Sequence, residues 1–210
     1  MKATEILASE HRVIEQVLEC LEKMADRCAV LGVVDAESAT KAIDFFRHFA
    51  DHCHHGKEEQ HLFPLLETRG FPRETGPTGV MLTEHEQGRR ILRGLADAVE
   101  GAAAGETMAA ERFVANAQAY INLLREHIRK EDERLFVMAD HALSHEDQEG
   151  LLESFARVES EEMGQGTHEK YLRTANELAD RWNVARADVE PACGHVCSCG
   201  HQARVLGIGD

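Results

Sequence analysis

The sequence predicts an all-α protein: an up-down-up-down four-helix bundle with an additional C-terminal helical arm and a Cys/His-rich tail. Three observations predict it. Apolar residues recur at i, i+4 and i+7 along most of the chain, the spacing of one helix face. Ala, Leu, Glu and Arg dominate and only 4 of the 210 residues are proline, a composition that favours helix over sheet. The four longest periodic segments are joined by short links, as antiparallel neighbours in a bundle require.

The elements follow in order. Residues 3–31 form a first helix with the stripe Leu7, His11, Ile14, Leu18, Leu21, Ala25, Cys28. "LGVVDAES" is a link in which Asp35 or Ser38 caps the next helix. Residues 37–68 form a second helix, ended by "RGFPRETGP", where Gly and Pro accumulate. A third helix over 77–102 carries Met81, His85, Gly88, Leu92, Leu95 and Val99 on one face. After "GAAAGET", a fourth over 107–141 carries Phe113, Ala117, Tyr120, Leu124, His127, Glu131, Leu135 and Met138. Residues 145–163 and 168–183 read as two further helices. The pattern weakens from Asn183. The expected division is a bundle over 1–141, accessory helices over 142–183 and a tail over 184–210.

Composition excludes several functions. A formal charge of −15 leaves no basic stripe to neutralise phosphates, so neither nucleic acid nor an anionic membrane surface is expected as a partner. No apolar run approaches the roughly 20 residues of a membrane span. "MKATEILASEHRVIEQ" has no apolar signal core, so the expected compartment is the cytoplasm. There the 6 cysteines stay reduced unless they bind metal.

The chain contains a hidden duplication. "HHGKEEQHLF", beginning at His54, and "HIRKEDERLF", beginning at His127, both read His-x-x-Lys-Glu-acid-x-x-Leu-Phe. "SEHRVI" around His11 and "TEHEQGRRI" around His85 also match, so a two-helix unit is used twice. His54 and Glu58 are one turn apart on one face, as are His127 and Glu131. His11 and His85 interrupt apolar stripes. Six metal-binding side chains therefore point inward. A lone histidine on such a stripe is ordinarily a hydrogen-bonded core residue, but an unpaired buried carboxylate needs a cation or a proton. Two such carboxylates, each one turn from a histidine and related by a repeat, point to a metal site. The mixed nitrogen and oxygen donors suit iron or manganese better than a closed structural zinc.

On these motifs the chain resembles hemerythrin-like (HHE cation-binding) proteins. That family has a His in helix one, His-x-x-x-Glu in helix two, a His in helix three and His-x-x-x-Glu/Asp in helix four. The sequence supplies His11, His54 with Glu58, His85, and His127 with Glu131. The resemblance spans about residues 1–141. It implies two iron ions, bridged by an oxo or hydroxo group and by Glu58 and Glu131. Helix adjacency suggests that His11 pairs with His54 and His85 with His127. Oxygen carriers of the family have a further His one turn after the third-helix His, where this chain has Arg89. His55, Glu59, Glu84 or Glu86 is left to fill an open position; His55, next to His54, is the best placed, and reads equally well as a surface histidine. The four-His, two-Glu set is similar to that of di-iron proteins that repair iron centres under nitric oxide stress. Their N-terminal cysteine-bearing segment has no counterpart in this sequence.

Tyr120, seven residues before His127, is a candidate to face the pocket and reads somewhat better as a core aromatic. Asp132 and Glu59 are candidates to orient imidazoles and read better as solvated residues. "CGHVCSCGH" offers Cys193, His195, Cys197, Cys199 and His201, enough for one ion of zinc or iron, although the spacing lacks the two separated pairs of a zinc knuckle. A solvated tail with reactive thiols fits as well.

The first functional expectation is a di-iron protein that binds or reacts with a small diatomic ligand or peroxide: oxygen, nitric oxide or hydrogen peroxide. Iron storage, donation or centre repair is the second. An iron-responsive regulatory module, acting through the arm, is the third. The sequence identifies no protein partner and is compatible with a homodimer.

Overall fold

The computed structural model describes residues 1–162 and 166–189. The tail candidates Cys193, His195, Cys197, Cys199 and His201 lie outside the described residues. All regular structure among the described residues is helical.

The first helix, Ala3–Leu31, ends where Gly32 takes φ +70° and its N–H reaches the Cys28 carbonyl, a left-handed cap that costs glycine little. Asp35 rather than Ser38 then caps the second helix: its side chain accepts from the Ser38 N–H at 2.8 Å.

That second helix runs over 36–68, but it is not uniformly α-helical. Ala36–Phe45 and Phe63–Thr68 are α, whereas Phe46–His55 and Glu58–Leu62 are π-helical. The Gly56 N–H reaches back five residues to the Asp51 carbonyl, and the Phe63 N–H to that of Glu58. Pro64, which lacks an N–H and would clash with a carbonyl four residues back, lies two residues after the end of the second wide segment. The third helix is Pro77–Ala103. The fourth runs over 107–142, again with a π segment, Glu131–Leu135, inside it. The arm consists of His145–Arg157, extended by Val158–Glu162 and capped by the Ser144 hydroxyl, and of Thr167–Trp182.

Two apolar clusters form the core. One contains Phe45, Phe46, Phe49, Phe113 and Tyr120; the other contains Leu7, Leu62, Phe63, Phe136 and Phe155. Each long helix passes from one cluster to the other and carries buried polar residues at the crossing: Glu10 and His11, His54 to Glu58, His85, then His127 and Glu131. A buried polar layer thus separates two apolar ones. The arm spans it too, with Leu151 and Phe155 in one cluster and Tyr171, Ala175 and Leu178 in the other. No helix among the described residues is long and apolar enough to cross a membrane.

Candidate metal centre

The polar layer brings together two groups of donors. His11, His54, Glu58 and Glu131 form one; His55, His85, His127 and Glu58 form the other, and all seven side chains are buried. His11 lies with His54 and His85 with His127, as helix adjacency suggests. His55 is not a surface histidine. It is 5% exposed and stacks on His85 with ring centroids 3.8 Å apart.

The π segments explain how His54 and His55 both face inward. An α-helix turns about 100° per residue, so adjacent side chains diverge. The wider Phe46–His55 segment turns less per residue, which brings the two imidazoles to one side. Glu58 begins one π segment and Glu131 another, so both carboxylates sit where the ladder is locally widened.

Each of the five imidazoles has its Nδ1 on a carboxylate. Those distances are 2.7 Å for His11 to Asp132, 3.0 Å for His54 to Glu10 and 3.3 Å for His55 to Asp51. They are 2.7 Å for His85 to Glu59 and 3.0 Å for His127 to Glu84. Asp132 and Glu59 therefore orient imidazoles and are not merely solvated. An ionised carboxylate only accepts, so Nδ1 carries the proton, and the Nε2 lone pair of a neutral ring is directed into the layer.

Every one of these carboxylates has a cation. Arg12 serves Asp132 and Lys130 serves Glu84; Lys57 reaches Glu10 at 2.5 Å. Arg89 reaches Asp51 at 2.8 Å and Glu59 at 2.7 Å. The residue found where oxygen carriers have a further histidine thus works in the outer shell, while His55 adds a fifth imidazole from the second helix.

The inner atoms fit a cation. His11 Nε2, His54 Nε2 and both oxygens of Glu58 and of Glu131 are buried without a hydrogen-bond partner. Such atoms cost free energy unless something positive lies between them. His85 Nε2 and His127 Nε2 are 3.1 Å apart. Two nitrogens each about 2.1 Å from one ion, at right angles, would be separated by about 3 Å. Glu131 Oε2 lies 3.3 Å from His11 Nε2 and 3.3 Å from His127 Nε2, so it faces both groups although it is most closely associated with the first.

Electrostatics agree. Burial, then the neighbouring Glu131 charge, raises the Glu58 carboxyl well above its usual range. Burial opposes protonation of His11, but Asp132 and Glu131 outweigh it and raise it to about 9. Burial, then the His11 charge, pushes His54 down to about 4. Without a cation the layer holds carboxylates and imidazoles in conflict over protons.

Tyr120 is buried in the apolar cluster, edge-on to Phe46 at 5.0 Å. Sequence reasoning missed Glu10 and Lys57 as functional positions. The repeat could have found them: Glu10–His11 matches Glu84–His85, and Lys57 matches Lys130.

A helical bundle, as the described residues form, with a buried layer of paired His and carboxylate groups that could hold a metal ion defines the class of this protein. The chain belongs to the hemerythrin family: the hemerythrin HHE cation-binding domain matches residues 2–139. It is 27% identical over 163 residues to an uncharacterised protein of Mycobacterium bovis and to uncharacterised proteins of two Mycobacterium tuberculosis strains. That alignment covers 78% of this chain and 63% of each relative, so the chain spans somewhat less than two thirds of their length. No solved structure matches the chain.

Proposed function

We propose that this chain is a non-haem di-iron protein that binds or reacts with a small diatomic ligand or peroxide, in sensing or stress protection. His11 and His54 would hold one ion, and His55, His85 and His127 the other, with Glu58 and Glu131 shared between them. Bound there, iron would supply a redox-active pair able to accept a small ligand. The observation that carries this reading is the set of buried Nε2 and carboxylate atoms converging from all four long helices, of which those of His11, His54, Glu58 and Glu131 have no hydrogen-bond partner.

The chain's own residues do three things in this reading. The Nδ1 carboxylates fix each imidazole's tautomer and rotation. The outer cations neutralise those carboxylates and hold them in place. The two apolar clusters exclude water from both ends of the layer. The unequal split of imidazoles, two against three, leaves the His11/His54 side poorer in ligands and so the side better suited to an exogenous one. The up-down-up-down order of the four helices, and the division at about 141 between bundle and arm, belong to the same proposal.

The test is an optical spectrum of anaerobically reduced, iron-loaded protein before oxygen, after oxygen and after its removal. New near-ultraviolet and visible bands on adding oxygen are expected. Bands that vanish on deoxygenation favour carriage or sensing, and bands that persist favour oxidative reaction. A spectrum featureless throughout would reject iron.

A further inference from the structure

The internal repeat makes the polar layer nearly two-fold symmetric, and the place where the symmetry fails is informative. His54 Nδ1 donates to Glu10, which also accepts from Lys57; His127 Nδ1 donates to Glu84, which also accepts from Lys130. These two triads occupy matching positions of the repeat. Yet the Lys130 side chain is 29% exposed and that of Lys57 is 0%.

The arm causes the difference. Glu159 accepts a second hydrogen bond from Lys57 Nζ at 2.5 Å. The Phe155 ring centroid lies 5.7 Å from the same nitrogen. His168 Nε2 lies 3.7 Å from Glu10 Oε1. Glu159 and His168 come from the two arm helices, at the level of the polar layer. Both lie beyond residues 2–139, the part that matches the family. Beside them a cavity of about 280 Å³ is lined by Ile6, Phe49 and Leu172 as well as Glu10, Glu159 and His168. Glu10, Glu159 and His168 are close enough to hold an ion themselves, but the Lys57 ammonium already lies between the two carboxylates.

We propose that Lys57 couples occupancy of the His11/His54 group to docking of the arm, with Glu10 and Lys57 as positioning residues and Glu159 as the arm's contact. The proposal rests on the reading of the two groups as metal-binding. A buried ammonium needs more than the one carboxylate it already shares with His54. A docked arm supplies the second and excludes water from the triad. A cation on His54 Nε2 polarises the ring and strengthens its hydrogen bond to Glu10. It also adds positive charge that the Glu159 carboxylate offsets. Metal therefore favours the docked arm, and by linkage the docked arm favours metal by the same factor. Among the described residues the Lys130 triad has no such cover, so the coupling acts on one of the two groups.

The test uses the full chain and cobalt(II), titrated by visible absorption, with trypsin cleavage of the arm followed by mass spectrometry with and without the metal. In the unaltered protein two ions are expected, and metal slows arm cleavage. In Glu159→Gln one ion binds as before and the other about tenfold or more weakly, the scale of losing an outer-shell partner. Metal no longer slows arm cleavage in that variant. Glu159→Asp, which keeps the charge, restores part of both effects. Lys130→Gln weakens an ion without changing arm protection. The Glu159 side chain is one-third exposed, so its replacement leaves the fold intact where replacement of Lys57 endangers it. Unaltered affinities together with unaltered metal-dependent protection in Glu159→Gln would overturn the coupling and leave the metal centre standing. A chain that takes up no cobalt would overturn both.

Discussion

Glu58 faces one imidazole of each group: its Oε1 lies 3.7 Å from His54 Nε2 and its Oε2 3.5 Å from His85 Nε2. It is the one carboxylate common to both donor groups. Without a cation it is a buried acid beside Glu131, raised well above its usual range by burial first and by that charge second. Glu58→Gln is therefore expected to have opposite effects on metal and on stability. Metal content per chain should fall for both ions. The metal-free protein should gain about 1–3 kcal/mol at neutral pH, because folding no longer has to protonate this buried carboxyl. Elemental analysis and denaturant unfolding of metal-free protein measure the two. A metal-free variant that is less stable than its parent would refute this account of Glu58.

His55 gives a more selective prediction. It belongs only to the His85/His127 group and stacks on His85. His55→Ala should weaken one ion by more than the about 10–100-fold of losing an outer-shell partner, and leave the other close to normal. Competition with a chelator reads the two affinities. Equal loss of both ions would place His55 in a structural role.

Much of this could be read in the sequence, and the exceptions have physical causes. The helix limits follow from the 3.6-residue period and from caps such as Asp35, so all six helix starts lie at or within one residue of those expected. The π segments left no comparable signal, because one widened turn barely disturbs an apolar stripe. That is why His55 reads as an ordinary neighbour of His54 until the backbone is seen. Arg89 was legible as a departure, but not as the partner of Asp51 and Glu59 across helices. Glu159 and His168 had no sequence signal at all, since their contacts with Lys57 and Glu10 span more than 100 residues.

Proton competition sets the pH dependence. His11 is raised to about 9, because Asp132 and Glu131 outweigh the opposing burial. At neutral pH metal must therefore displace a proton from it, and uptake should acidify a weakly buffered solution. Affinity should rise from pH 6 to 9 and then level off. Stability of the metal-free fold should move the other way. A histidine raised above its ordinary value stabilises the fold fully below about 6.5, and that contribution is lost as pH rises through 9. His54, pushed down to about 4 by burial and by the His11 charge, competes only in acid. Calorimetric titrations in buffers of different ionisation enthalpy, with melting curves of metal-free protein across the same range, test both trends. Proton uptake on binding would reverse the assignment.

Phe155 decides whether the arm unfolds with the bundle. It is 2% exposed and shares the apolar cluster of Leu7, Leu62, Phe63 and Phe136, which come from three of the long helices. If arm and bundle form one cooperative unit, Phe155→Ala should cost the whole protein about 3–5 kcal/mol, in a single transition shifted to lower denaturant. If the arm is a separate unit, the bundle's transition should stay where it is and an early, smaller one should appear. The shared core favours the single transition. Far-UV circular dichroism reports all helices and the fluorescence of Trp182 reports the arm, so the two probes should coincide in the parent and in the variant. Divergence between them would show that the arm detaches on its own, and its hold on Lys57 would then be a local equilibrium rather than part of the global fold.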